Sequence, residues 1–234
     1  MKEFRTREGP YPLRLQYEVS EIDDICCDAL RQVKLLPENP EPIKVDLFLE
    51  KYFQVVVDYP DLGDGIMGSA IFNSKGAVTG FLISSRIEHE GTATAERRVR
   101  STLAHEGGHG LLHPKLFIED STPSLFGPQD PSHKGSPKFL CRTSDISPVS
   151  GTPVYNGKWW EWQANRAISG LLLPKSLFRK AISSFLEESQ YGPKLPGSKR
   201  QKAEQHLAET FDVNPVVARI RLTEIFPPTK QVDL

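Results

Sequence analysis

The chain has 234 residues, 38% hydrophobic and 25% charged, which is enough for one good core with a small appended subdomain. Its formal net charge of -1 gives no general attraction to nucleic acid or to anionic membranes. No apolar run approaches the roughly 18 residues of a membrane span, and residues 1–9 are too polar for a signal peptide. Together with three cysteines that lack metal-binding spacing, this predicts a cytoplasmic protein.

The N-terminal part predicts an arm, two helices and a strand. Residues 1–18 are expected to be irregular. Ser20 is then a candidate N-cap for a core helix that extends toward Pro37, because apolar residues recur at helical spacing: Ile22, Ile25, Cys26, Ala29, Leu30 and Val33. Residues 45–53 predict a short helix, and residues 54–59 predict a strand.

The next segment predicts a β-hairpin. Apolar runs at residues 69–72 and 77–85 flank the turn sequence Asn73-Ser-Lys-Gly76. The sequence therefore predicts an α+β fold in which a small antiparallel sheet packs on the helix that follows it. An exposed edge of this sheet could accept a peptide as an added strand. The sequence leaves open the alternative that the sheet only supports the helix.

The helix after the hairpin contains the pattern His105-Glu106-x-x-His109. Residues four apart lie on one helix face, so both imidazoles can bind one metal ion while Glu106 lies beside them. Zinc in a hydrolase needs three protein ligands and a water whose pKa it lowers, and Glu106 is then the candidate catalytic base. Another segment, or a ligand, is expected to approach this turn closely at three glycines: Gly107, Gly108 and Gly110.

The third metal ligand is expected from a helix at residues 159–173. His113 continues the four-residue spacing, but it lies about 12 Å from His105 along the helix axis, so we expect it to support the site rather than bind the metal. Glu161 is the better candidate, because its segment has helical apolar spacing. Asn165 shares a face with Glu161 and is expected to hydrogen-bond a ligand.

The interval at residues 114–158 is too long for an ordinary loop, and its prolines exclude one continuous helix. Such an interval is either a lid or disordered, and it ends beside Glu161, so it should lie over the site. Tyr155 and His133 are candidates to stabilise the transition state. Cys141 is expected to pack locally, and the alternative is an inhibitory zinc thiolate.

The C-terminal part predicts helices only. Residues 175–188 form an amphipathic helix, and residues 199–211 and 215–226 form two helices like a helix-turn-helix, with Asn214 as N-cap. The last helix offers only Arg219 and Arg221 for base contacts, so a role in packing or in docking a partner is expected rather than DNA binding. We therefore predict two domains, residues 1–174 and residues 175–234.

The two histidine and glutamate motifs resemble those of the ImmA/IrrE family of metallopeptidases. The matching patterns are His105-Glu106-x-Gly-His109-x-Leu-Leu-His113 and, after a long insert, Glu161-x-x-Ala-Asn165-x-(apolar)-x-x-x-Leu-Leu-x-Pro. The resemblance extends from about residue 19 to residue 226. It implies a zincin-like fold with one zinc ion per chain, Glu106 as catalytic base, and a trailing helix-turn-helix segment.

Two classes of function remain. The first is a zinc-dependent endopeptidase that, as the resemblance implies, cleaves a cognate helix-turn-helix transcriptional repressor and so relieves repression in a stress response or a mobile element. The second is a non-catalytic regulator that binds DNA or a repressor and holds a structural zinc ion. A fourth protein ligand, Cys141 or His133, would favour the second class. Neither class involves a membrane.

Overall fold

A computed structural model describes residues 1–6, 10–118, 138–142, 157–190 and 192–228, which form a mixed α+β fold as the sequence predicts. The helices are α1 Val19–Gln32, α2 Val45–Phe53, α3 Ser85–Glu88, α4 Ala93–Leu112, α5 Trp159–Leu172, α6 Lys175–Ile182, α7 Gly197–Thr210 and α8 Pro215–Ile225. The strands are β1 Lys2–Arg5, β2 Leu13–Gln16, β3 Val57–Asp58, β4 Ile66–Phe72, β5 Val78–Ile83 and β6 Lys138–Arg142. Within these ranges, no helix is both long and apolar enough to cross a membrane.

The main sheet has four strands in the order β3-β5-β4-β6. β4 and β5 form the predicted hairpin, and the Asn73 side-chain oxygen closes its turn by accepting hydrogen bonds from the Lys75 and Ala77 backbone nitrogens at 2.9 and 3.0 Å. The prediction of a purely antiparallel sheet is wrong, because β3 pairs with β5 in parallel. β3 is also shorter than predicted, since Gln54 takes a left-handed conformation at φ 58° and turns the chain after α2.

The other edge strand, β6, was not predicted. It lies antiparallel to β4, with Cys141 opposite Gly68 and Phe139 opposite Ala70. The Ser69 hydroxyl donates to the Phe139 carbonyl oxygen at 2.6 Å, which helps to fix this register. Part of the interval at 114–158 is therefore a strand of the sheet, whereas residues 119–137 and 143–156 lie outside the described ranges.

The prediction of an irregular N-terminal arm is wrong for residues 2–5 and 13–16, which are strands. β1 and β2 form an antiparallel pair in which Lys2 faces Gln16. Leu15 is fully buried, and the Tyr17 hydroxyl donates to the Leu112 carbonyl oxygen at the end of α4, at 2.9 Å. α1 begins two residues earlier than expected, at Val19 rather than at Glu21. Its first turn is closed by a capping box between Glu18 and Glu21 rather than by Ser20.

Helix α4 is the centre of the core, and it packs closely against elements on several sides. A Cβ atom added to Gly108 would lie 2.7 Å from the Ala167 Cβ and 3.1 Å from the Ala164 carbonyl oxygen, both in α5. A Cβ added to Gly107 or Gly110 would lie 2.7 Å from a side chain of α2. The predicted close approach at these glycines is therefore made by neighbouring helices.

The C-terminal helices share the core of the rest of the chain. One hydrophobic cluster extends from Ile22 in α1 to Leu222 in α8. Asp212, in the turn between α7 and α8, forms ion pairs with Arg97 and Arg100 of α4. Asn214 caps α8 as predicted, but α6 ends at residue 182, earlier than the predicted residue 188, and a 3₁₀ turn follows it. The domain boundary at residue 174 stays a prediction.

The contact at Gly108 can be tested by Gly108→Ala. The added methyl group would force α4 and α5 apart, and overpacking of this kind costs about 1–3 kcal/mol. The better helix propensity of alanine offsets about 1 kcal/mol, so the free energy of unfolding should fall by up to about 2 kcal/mol in urea denaturation. Gly197→Ala in α7 is the matched control, because no other part of the described chain comes within 4 Å of the added Cβ there. Equal stability of the two variants would contradict the packing argument.

Candidate metal centre

His105 and His109 lie on the face of α4 that points into the protein. Thr92 begins this helix by accepting a hydrogen bond from the Ala95 backbone nitrogen at 3.1 Å, and the two histidines follow one turn apart. Both side chains are fully buried, and their Nε2 atoms lie 3.1 Å apart. The two imidazoles therefore present nitrogen atoms to one point, as the spacing predicts.

Glu161 of α5 completes a group of three. Its Oε2 atom lies 3.1 Å from His105 Nε2 and 3.5 Å from His109 Nε2. The carboxylate reaches this point because α4 and α5 pack closely at Gly108. Gly108 is near the two histidines in α4, and the residues that it contacts in α5 are near Glu161. These three buried residues could together hold a metal ion. The structure thus brings together the three residues that the sequence predicts as ligands.

The charges of this group favour a cation. Burial disfavours the charged form of Glu161, but the imidazoles of His105 and His109 outweigh it and hold the pKa of the carboxyl well below its usual range. Burial likewise opposes the charged form of His105, but the neighbouring Glu161 and Glu106 carboxylates favour it, and the pKa of the imidazole is raised. The group therefore carries an ionised carboxylate, and a proton on an imidazole or a bound metal cation can balance its charge.

Asn165 lies behind His105, as predicted. Its Oδ1 atom is 3.0 Å from His105 Nδ1. An amide oxygen only accepts hydrogen bonds, so His105 Nδ1 carries a proton in this contact. Hydrogen bonds of this kind orient metal-binding imidazoles and set which nitrogen is free to bind. In a metal-bound protein, His105 would therefore use Nε2, the atom that faces Glu161.

His113 lies behind His109 rather than at the metal point, as predicted. Its Nδ1 atom is 3.0 Å from His109 Nδ1, and its Nε2 atom is 2.9 Å from the Oε1 atom of Gln163. Burial and the neighbouring His109 hold the pKa of His113 well below its usual value, so the imidazole is neutral. Gln163 was not predicted, because it lies off the apolar stripe that predicts α5 and no motif marks it.

Glu106 is fully buried between α4 and strand β4. A Cβ atom added to Gly68 in β4 would lie 3.0 Å from Glu106 Oε1 and 2.7 Å from Thr102 Cγ2. The absence of a side chain at Gly68 therefore gives the carboxylate its space. Glu106, His105 and Cys141 form a second group whose ligand atoms lie within 4.8 Å of one another.

Strand β6 covers the site from the side of the sheet. The ring of Phe139 stacks on His109 with centroids 4.0 Å apart and planes at 13°. Cys141 is fully buried, and burial raises the pKa of its thiol to about 12, although His105 opposes this shift. The thiol is therefore protonated unless a metal ion binds it.

Aromatic side chains surround the other side of His113. Trp159 packs edge-to-face on His113, with centroids 5.7 Å apart, and Tyr11 contacts both Trp159 and Phe139. Burial, with a smaller effect of the nearby Glu161 carboxylate, raises the pKa of Tyr11. Tyr11 was not predicted, because it belongs to the N-terminal arm, which was expected to be irregular. Tyr155 and His133 lie outside the described residues.

No model of a known protein family matches this chain, and no curated protein matches it significantly. The geometry of the site therefore carries the argument about function.

The three-ligand group predicts the metal content of the purified protein. Wild type prepared without added metal should hold about one metal ion per chain, and Glu161→Ala should lose most of it, because the site loses the carboxylate that lies beside both imidazoles. Inductively coupled plasma mass spectrometry measures this directly. Glu209→Ala removes an exposed acid from α7 and is the control. Full metal retention in Glu161→Ala would exclude Glu161 as a ligand.

Proposed function

We propose that the protein is a zinc-dependent endopeptidase, with His105, His109 and Glu161 as the zinc ligands. The observation that carries this proposal is the separation of the three ligand atoms, 3.1, 3.1 and 3.5 Å. Zinc bonds to nitrogen and oxygen are about 2.0–2.2 Å long, so two ligands of a tetrahedral zinc ion lie about 3.3–3.5 Å apart. Three protein ligands of these types, with a fourth position for water, are typical of catalytic zinc sites.

Each residue then has a role. Bound zinc would polarise the substrate carbonyl and lower the pKa of the attacking water. Glu106 follows the first ligand in sequence and would accept the proton of that water, then deliver it to the leaving amine. Asn165 holds His105 in the orientation that directs Nε2 to the metal. A small sheet beside this helix supports a zincin-like architecture.

The outer edge of β6 is the candidate site for the substrate. β6 ends the strand order of the main sheet, so among the described strands its outer edge has no partner. The same strand carries Phe139 on His109 and Cys141 near His105, so this edge lies next to the proposed zinc ion. An extended peptide that pairs with this edge would have its backbone close to the metal.

The resemblance to the ImmA/IrrE family supports a helix-turn-helix repressor as the substrate, in a stress response or a mobile element. The protein itself offers few contacts to DNA from its own helix-turn-helix-like segment. Arg219 is paired with Glu204 at 2.8 and 3.0 Å, and Arg221 is 1% exposed and paired with Asp23. The segment is therefore better suited to stabilise the fold or to dock a protein. A cytoplasmic location is proposed together with the repressor substrate.

One observation favours a second function, a non-catalytic regulator with a structural zinc site. The Cys141 thiol lies within 4.8 Å of the ligand atoms of His105 and Glu106. If Cys141 bound the metal as a fourth protein ligand, no position would remain for water, as in structural zinc sites.

The role of Glu106 can be tested by Glu106→Gln. Loss of a general base typically lowers the rate by about 100- to 10,000-fold, so cleavage of a proteome-derived peptide library, followed by mass spectrometry of new termini, should fall at least about 100-fold. Zinc content should stay at the wild-type level, because Glu106 is not a ligand. Glu96→Gln, an exposed residue in the first turn of α4, is the control. Undiminished cleavage by Glu106→Gln would refute the mechanism.

The two functions differ in what they require of Cys141. The endopeptidase proposal predicts that Cys141→Ser keeps about one zinc ion per chain and keeps cleaving, because three other ligands hold the metal. The structural-site alternative predicts marked loss of zinc from this variant. Zinc content and library cleavage measured on the same preparation decide between them, with Cys27→Ser as the control for a cysteine away from the site.

A further inference from the structure

A chain of hydrogen bonds leads from the N-terminal hairpin, β1 and β2, to the metal centre. Its first bond fixes the orientation of the Gln163 side-chain amide. The Gln163 side chain has one nitrogen and one oxygen, which differ in what they can bond. Its Nε2 atom donates to the backbone carbonyl oxygen of Leu15 at 2.8 Å. A carbonyl oxygen only accepts, so the amide nitrogen must face β2 and the amide oxygen must face α4. Gln163 is 3% exposed, so it has little access to water as a substitute partner.

The orientation of Gln163 then fixes His113. Gln163 Oε1 lies 2.9 Å from His113 Nε2, and an amide oxygen only accepts, so Nε2 carries a proton. In a neutral imidazole the other nitrogen, Nδ1, then has a free lone pair. His113 is fully buried, so this lone pair needs a donor within the protein.

The lone pair of His113 in turn fixes His109. The two Nδ1 atoms are 3.0 Å apart, so His109 Nδ1 must be the donor. A neutral His109 with its proton on Nδ1 has its lone pair on Nε2, the atom that faces His105 Nε2 and Glu161 Oε2. Metal binding requires the same tautomer, because a neutral imidazole that binds a metal through Nε2 carries its proton on Nδ1.

We infer that Gln163 is a positioning residue that, through His113, holds His109 in the tautomer whose Nε2 atom can bind the metal. This inference rests on the proposed metal site. His105 is held by one direct contact with Asn165, whereas His109 is held through two buried side chains and a backbone carbonyl of the N-terminal hairpin. The hairpin, which lies outside both metal-binding motifs, is thus part of what defines the site.

The test compares two variants of similar shape, Gln163→Met and Gln163→Glu. Methionine has nearly the same length but offers His113 only a weak sulfur acceptor, whereas protonated glutamate reproduces both bonds, because its hydroxyl donates to the Leu15 carbonyl oxygen and its carbonyl oxygen accepts from His113. Loss of a hydrogen-bonding partner behind a ligand typically lowers metal affinity by about 10- to 100-fold. We expect that loss in Gln163→Met and near wild-type affinity in Gln163→Glu, measured by competition with a chromophoric zinc chelator. Gln205→Met in α7 is the control, because Gln205 is exposed and bonds only Glu209 among the described residues.

A packing role for Gln163 predicts the opposite order, because apolar methionine suits a buried position better than glutamate does. Nitrogen-15 correlation spectra of the imidazoles add a second readout that needs no metal. The inference predicts a neutral His113 with its proton on Nε2 in metal-free wild type, and loss of this fixed tautomer in Gln163→Met. If Gln163→Met does not fold in urea titrations, Gln163→Glu and the wild-type spectrum still decide the matter.

Each outcome has a distinct meaning. A proton on His113 Nδ1 in wild type, or zinc affinity unchanged in Gln163→Met, would overturn the inference and leave the zinc site standing. Weak zinc binding by Gln163→Glu together with tight binding by Gln163→Met would also overturn it in favour of packing. Failure of wild type to bind zinc would overturn the proposed function, and the inference with it.

Discussion

The site depends on how closely two helices can approach. His105 and His109 lie on α4 and Glu161 lies on α5, so their side chains share a point only if the two backbones come very near each other. Gly108 lies between the histidines' positions and permits this approach, since a Cβ atom there would meet Ala167 and the Ala164 carbonyl oxygen. A side chain at residue 108 would separate the helices and move the carboxylate away from the imidazoles. Glycine has a lower helix propensity than alanine, and the close contact between α4 and α5 offsets this loss of stability.

Because the packing of α4 against α5 buries the histidines, the stability of the site depends on the hydrogen bonds around them. The histidines of the site are fully buried, where an unsatisfied polar group costs more than it does at a surface. Asn165 provides a hydrogen-bond partner for the His105 ring. The His109 ring is bonded to His113, which is bonded in turn to Gln163 and through it to the Leu15 carbonyl oxygen. Each partner also selects which ring nitrogen is free. The same contacts that stabilise the buried histidines therefore prepare them to bind a metal, and Phe139 of β6 excludes solvent from one face.

Local patterns in the sequence predicted well what depends on local spacing. Helix α2 has the predicted bounds, the hairpin of β4 and β5 follows its turn residues, and the spacing of His105, His109 and Glu161 indicated the cluster that the fold brings together. What depends on pairing across the chain was missed. β6 is held by backbone bonds to β4, which is distant in the sequence, and β1 and β2 are only four residues long, so the alternation of Leu13 and Leu15 was too short to identify a strand. Gln163 was missed for a related reason, because its partners belong to α4 and to the N-terminal hairpin. The zinc ion, the cleavage of a repressor and the domain boundary stay predictions.

The central claim is an open site with three protein ligands, and X-ray absorption spectroscopy of the zinc-loaded protein tests it most directly. The account predicts a first shell of nitrogen and oxygen at about 2.0–2.2 Å, with the outer-shell scattering of two imidazoles and without sulfur. A sulfur atom at about 2.3 Å would show that the Cys141 thiolate closes the site and would contradict the account.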